Sequence, residues 1–94
     1  MAYATTNPFT EEQVKVFPSP TDAEVDAALD KGHTAFKKWK NTSFAERARV
    51  LQKAADLLRA NVDEYSKLLT LELGKLYTEA TAETELPAAI FEYY

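Results

Sequence analysis

Ninety-four residues are one domain's worth at most, and with 46% hydrophobic and 28% charged residues the composition is that of a soluble globular protein with a modest core. The absence of cysteine and a single histidine, His33, exclude disulfides, thiolate nucleophiles and clustered zinc ligands within this chain. A formal net charge of -4 without a dense basic stripe argues against nucleic acid, and neither a bilayer-long apolar run nor a secretory leader is visible, so the expectation is a cytoplasmic setting without a membrane partner.

Residues 1–20 read as a β-hairpin and a connector. "YATT" and "VKVF" suit two short strands, and "NPFTEEQ" between them carries turn chemistry, with Asn7 before Pro8. The stretch holds three of the chain's four prolines, and "PSPT" is a stiff lead into helix. Residues 21–94 read as a helical segment. Thr21 and Glu24 form a T-x-x-E capping box, after which Val25, Ala28, Leu29, Gly32, Phe36 and Trp39 trace one face of a first helix. Lys37, Lys38 and Lys40 crowd its far end, where cations complement the helix dipole; a solvated terminus accounts for them better than an anion site. His33 falls one residue off the apolar face and reads as a partly exposed structural residue.

Ser43 and Glu46 offer a second capping box, followed by the stripe Ala48, Leu51, Ala55, Leu58, Val62, Tyr65 and Leu69. Asn61 and Glu64 repeat the N-x-x-E pattern, which predicts a break and two helices, the first ending near Ala60. Gly74 is a natural left-handed terminator for the second, with Lys75 placed to bond its last carbonyls. From Leu76 or Tyr77 a last stripe runs through Ala80, Thr84, Pro87, Phe91 and Tyr94. Pro87 sits on that apolar face, where a helix interior loses about 3 kcal/mol unless it kinks or restarts. Tyr93 and Tyr94 extend the stripe and read as core or interface aromatics.

No phosphate loop, Walker pattern or H-E-x-x-H is present, and Gly32 and Gly74 lie too far apart to cradle a phosphate. Acidic pairs such as Glu11–Glu12 and Asp63–Glu64 stand where turns and helix starts want them. No residue is therefore assigned a catalytic, cofactor-binding or metal-binding role. The helical stripes and a two-stranded hairpin, marginal alone, ask for more partner surface than the chain provides. The expected partners are the rest of a longer polypeptide, or other copies through exposed apolar helix faces. An independent helical interaction or oligomerisation module is the alternative.

The order of these landmarks resembles the amino-terminal part of the NAD(P)-dependent aldehyde dehydrogenases. They are Asn7-Pro8 followed by acidic residues, "AFKKWKNTSFAERARVL", "ERARVLQKAADLLRAN", "LLTLELGKLYTEA" and the terminal "FEYY". The "ELGKL" form is most similar to the succinate-semialdehyde dehydrogenase group. The resemblance implies a mostly α piece with a short N-terminal β-hairpin, peripheral to an α/β cofactor-binding domain. It implies a parent enzyme in which a cysteine attacks the aldehyde and hydride passes to NAD or NADP. Those functional residues would lie downstream of this chain, which would be inactive and bind no cofactor alone. The stripe from Ala48 to Leu69 would bury against the parent's cofactor-binding domain and be exposed without it. Pro87 departs from the resemblance, since around that position the family usually has a small or apolar helix-compatible residue.

Overall fold

A computed structural model describes residues 3–94. The chain opens with an antiparallel hairpin of β1 (Tyr3–Thr6) and β2 (Gln13–Phe17), in which Tyr3 faces Phe17, Ala4 faces Val16 and Thr5 faces Lys15. The register slips between Thr5 and Thr6, which pairs with Gln13. The turn is built as its residues suggest. Asn7 Oδ1 accepts from the Phe9 amide at 2.9 Å, the Asn7 carbonyl from Glu11 at 2.8 Å, and the Glu12 carbonyl from the Asn7 amide at 2.9 Å. Glu11 closes the turn at φ 63°, a left-handed conformation that a side chain with a Cβ adopts at a cost.

Helix α1 (Asp22–Trp39) begins on the reciprocal cap anticipated from sequence. The Glu24 amide donates to Thr21 Oγ1 at 3.2 Å, and the Thr21 amide donates to Glu24 Oε2 at 2.7 Å. This bond and the Thr21 hydroxyl hold the Glu24 carboxyl below its ordinary pKa. The helix ends where Asn41 Nδ2 and Thr42 Oγ1 bond back to the Lys37 and Trp39 carbonyls. Helix α2 (Phe44–Ala60) starts with Ser43 Oγ accepting from the Glu46 amide at 3.1 Å. Glu46 does not return the bond, so the second expected capping box is half made.

Asn61 breaks the chain for one residue before α3 (Val62–Leu73), as the N-x-x-E pattern predicted, and stands at the N-cap of α3 without a side-chain bond to it. Its side-chain amide instead donates backward to the Leu57 carbonyl at 2.8 Å, closing α2. Gly74 ends α3 at φ 70°, its amide bonded to the Thr70 carbonyl at 3.0 Å. A β-carbon there would lie 3.1 Å from Pro8 Cγ, so glycine also admits the hairpin turn against the end of α3. Lys75 does not bond the last carbonyls of α3; its ammonium pairs with Glu83 on the next helix.

Helix α4 (Tyr77–Tyr93) runs unbroken through Pro87, so the helix does not restart there. It lies against both α2 and α3. Its buried face is Ala80, Thr84 and Ala88, a row of small residues at four-residue spacing, flanked by half-buried Pro87 and Phe91. Tyr77 and Tyr94 from the expected stripe are exposed. Small side chains let helix axes approach closely. Thr84, before Pro87, meets Ser66 of α3, and Glu92, after it, pairs with Arg59 of α2, so the helix is held on both sides of the missing N–H.

Opposite this row lie Ala55 of α2 and Ser66 of α3, both fully buried. The Ser66 hydroxyl is satisfied locally by the Val62 carbonyl and Thr84 Oγ1 by the Ala80 carbonyl, so the core carries two polar groups at little cost. Leu51, Leu58, Val62, Tyr65 and Leu69 surround them half-buried, while Ala48 is exposed. The stripe expected to be bare is therefore partly covered by α4. Arg59 of α2 pairs with Glu92 of α4 at the far end.

No large side chain among the described residues is fully buried; the biggest is Ser66. The Cα radius of gyration is 17.3 Å, against about 13 Å for a compact domain of 100 residues. The Cα trace spans 48 × 36 × 15 Å, a slab little thicker than one helix.

Candidate interaction surface

The ionisable side chains of the helical unit serve as ties between elements. Asp63, in the first turn of α3, accepts from Lys67 Nζ at 2.7 Å and from the Tyr77 hydroxyl, which joins the start of α4 to the start of α3. The Lys67 and Tyr77 bonds lower the Asp63 pKa, and the same bonds raise those of Lys67 and Tyr77. All three lie at the surface, and no candidate reacting group stands beside them. No cluster of three or more His, Asp or Glu side chains able to hold a metal ion occurs among the described residues.

His33 is exposed, its ring 6.4 Å from that of Phe36. Lys37, Lys38 and Lys40 sit at the solvated end of α1, as expected, with Lys40 Nζ 5.5 Å above the Phe36 ring. Tyr93 and Tyr94 stack edge to face at 4.9 Å and are more than 80% exposed, so within this chain they are not core. No helix among the described residues is long and apolar enough to cross a membrane.

What the fold does present is unpartnered apolar surface. Helix α1 buries none of its residues; Leu29 is 67% exposed and Phe36 54%. At its C-terminal half Gly32, Ala35, Phe36, Lys38, Trp39 and Thr42 line an open groove of ≈ 520 Å³. Gly32 lies inside the helix, where glycine costs about 0.8–1.0 kcal/mol relative to alanine. No atom lies within 4 Å of where its β-carbon would sit, so nothing within the chain requires a glycine. A second groove, ≈ 370 Å³, opens between α4 and the α2–α3 pair, with Leu58, Tyr65, Leu69 and Pro87 on its walls and Glu72 and Glu83 at its rim. Sequence reading missed this one, because its two walls come from stripes assigned to separate helices. On the outer side of α4, Leu86 and Ile90 are exposed as well. Such surfaces bind by burial rather than by reaction.

Comparison with known proteins accounts for the whole length. The model of the aldehyde dehydrogenase family matches residues 1–94. The chain is 47% identical over 94 residues to a succinate-semialdehyde dehydrogenase (NADP+) of Mycobacterium tuberculosis, covering 100% of this chain and 21% of that protein. It is 41% identical over 92 residues to the NADP+ succinate-semialdehyde dehydrogenase of Deinococcus radiodurans, covering 98% and 19%. The fold superposes on the structure of Gox0499 with a TM-score of 0.97 at 33% identity, over 100% of this chain and 21% of that one. It superposes on succinic semialdehyde dehydrogenase of Streptococcus pyogenes, solved with NADP+, with a TM-score of 0.92 at 37% identity, over 99% and 21%. The chain thus spans about a fifth of the length of the relatives it matches.

Proposed function

This chain belongs to the aldehyde dehydrogenase family, and we propose that it is the N-terminal segment of an enzyme that oxidises succinate semialdehyde to the acid with NADP. The carrying observation is joint coverage: essentially every residue aligns with NADP+ succinate-semialdehyde dehydrogenases and superposes on one, while filling about a fifth of their length. The role of the segment is architectural. Residues 21–94 contribute helices to the periphery of the cofactor-binding domain, and residues 1–20 supply a hairpin. The nucleophile, the oxyanion donors and the cofactor contacts belong to later parts of the enzyme; with no cysteine, this chain has no thiolate to offer. Its partner is the rest of that polypeptide.

Two measurements test the proposal. The purified 94-residue chain should give no succinate-semialdehyde-dependent NADPH signal. A chimera in which it replaces the matching first fifth of the Mycobacterium tuberculosis relative should be soluble and turn over that substrate. Turnover by the chain alone, or an inactive chimera, refutes it.

A further inference from the structure

We infer that the stripe Val25, Leu29, Gly32, Phe36 and Trp39 on α1 is the face that seats against the polypeptide following this segment in the longer relatives, with Gly32 as the point of closest approach. The inference rests on the reading of the chain as an N-terminal segment, and it names the surface through which that segment docks.

Three observations carry it. At 100° per residue the five positions fall within an arc of about 80°, with Gly32 near its centre, a narrow seam rather than scattered apolar residues. The seam has no cover at home, since α1 buries no residue. Yet the pose of α1 is that of a longer protein: 100% of this chain superposes at a TM-score of 0.97 on a structure of which it is 21%. A helix with no packed neighbour in its own segment must be held in that pose by something beyond it. Gly32 supplies the independent sign. Glycine weakens a helix interior, its φ is not positive, and a side chain there would meet open space within this chain. The remaining physical reason for glycine is the close approach of another backbone or side chain from outside. The occupant is therefore apolar and close-packed against the middle of α1. Helix α4, by contrast, already has its place, clamped on α2 and α3.

The expected effects have opposite signs in the two settings. In the free chain, Gly32→Leu should raise the helix content of α1, and neither it nor Leu29→Glu should shift the melting midpoint of the α2–α4 unit. In the chimera with the Mycobacterium tuberculosis relative, each should reduce soluble, active enzyme several-fold and lower its melting midpoint by on the order of 5 °C. Lys31→Leu, off the seam, should leave the chimera unchanged, so that a general intolerance of added leucine is told apart from a blocked seam. A chimera indifferent to Gly32→Leu and Leu29→Glu overturns the inference while leaving the proposed function standing. A fall in the free chain's midpoint also overturns it, because α1 would then be packed at home. An unsubstituted chimera that neither folds nor turns over removes the proposed function and the inference together.

Discussion

Replacing Gly74 by alanine should loosen two joints at once. Gly74 ends α3 at φ 70°, where an L-residue with a Cβ carries a penalty of about 1–2 kcal/mol. The new methyl would also stand 3.1 Å from Pro8 Cγ, close enough that the hairpin turn must give by a few tenths of an ångström. Against this, alanine restricts the unfolded chain and recovers about 0.4–1 kcal/mol. The net expectation is a destabilisation of about 1 kcal/mol, which for a unit of this size lowers the thermal midpoint by roughly 4–8 °C. Gly74→Asn separates the causes, since asparagine tolerates the left-handed region but still carries a Cβ. It should keep most of the stability and still displace Pro8. Circular dichroism melts read the first effect, and nuclear Overhauser contacts between Pro8 and residue 74 read the second. An unchanged or higher midpoint for Gly74→Ala refutes the left-handed assignment. Equal losses for alanine and asparagine would put the whole cost on the Pro8 contact.

Other expectations follow the same logic. Glu11→Gly removes the left-handed penalty at φ 63° and should stabilise the hairpin by a few tenths to about 1 kcal/mol, read as stronger cross-strand amide protection; a weakened hairpin would contradict it. Thr21 lowers the folded-state pKa of Glu24 below the unfolded value, so the cap's contribution is full above the unfolded value and lost as pH falls through the folded one. An NMR titration should find Glu24 below ordinary glutamates, with the Thr21 amide shift following it; Thr21→Ala should remove only the hydroxyl's smaller share of that depression, the residue-21 amide keeping the larger, and cost α1 about 0.5–2 kcal/mol. Arg59 and Glu92 pair across α2 and α4 with both side chains more than a third exposed, so a double-mutant cycle should return a coupling of no more than about 1 kcal/mol. A markedly larger coupling would mean that the pair is shielded from solvent.

Much of the local structure was legible in the chain, because its causes lie within a few residues of each other. Thr21 and Glu24 are three apart, Asn7 reaches Phe9 and Glu11, and Gly74 caps the turn before it. Each motif could be read without knowing what lay elsewhere. The break at Asn61 was legible too, although which way its side chain bonds was not: it took the Leu57 carbonyl behind it. The capping-box reading overreached at Glu46, which left Ser43 to cap alone. For Lys75 the nearest acceptors in sequence were displaced by a carboxylate eight residues ahead, brought alongside by the helix that follows. The grooves were not legible as sites, since neither carries a reactive residue pattern.

The amino-acid sequence by itself determined where this protein turns, starts and stops its helices, and through its resemblance to the aldehyde dehydrogenases it determined the family. Tertiary structure alone decided how deeply each residue on the apolar face of α4 is buried. The stripe through Ala80, Thr84, Pro87 and Phe91 marked the right face, but the helix buries its smallest residues, Ala80, Thr84 and Ala88, deepest, with Thr84 beside Ser66, and leaves Tyr94 exposed. That choice depends on partners such as Ser66 and Thr84, 18 residues apart, and Arg59 and Glu92, 33 apart. It depends too on how closely three helix axes can approach, a distance set by side-chain volume at the crossing and not by periodicity along any one helix. The same packing bears on Pro87: a proline that should interrupt an isolated helix lies inside one held by its neighbours on both sides.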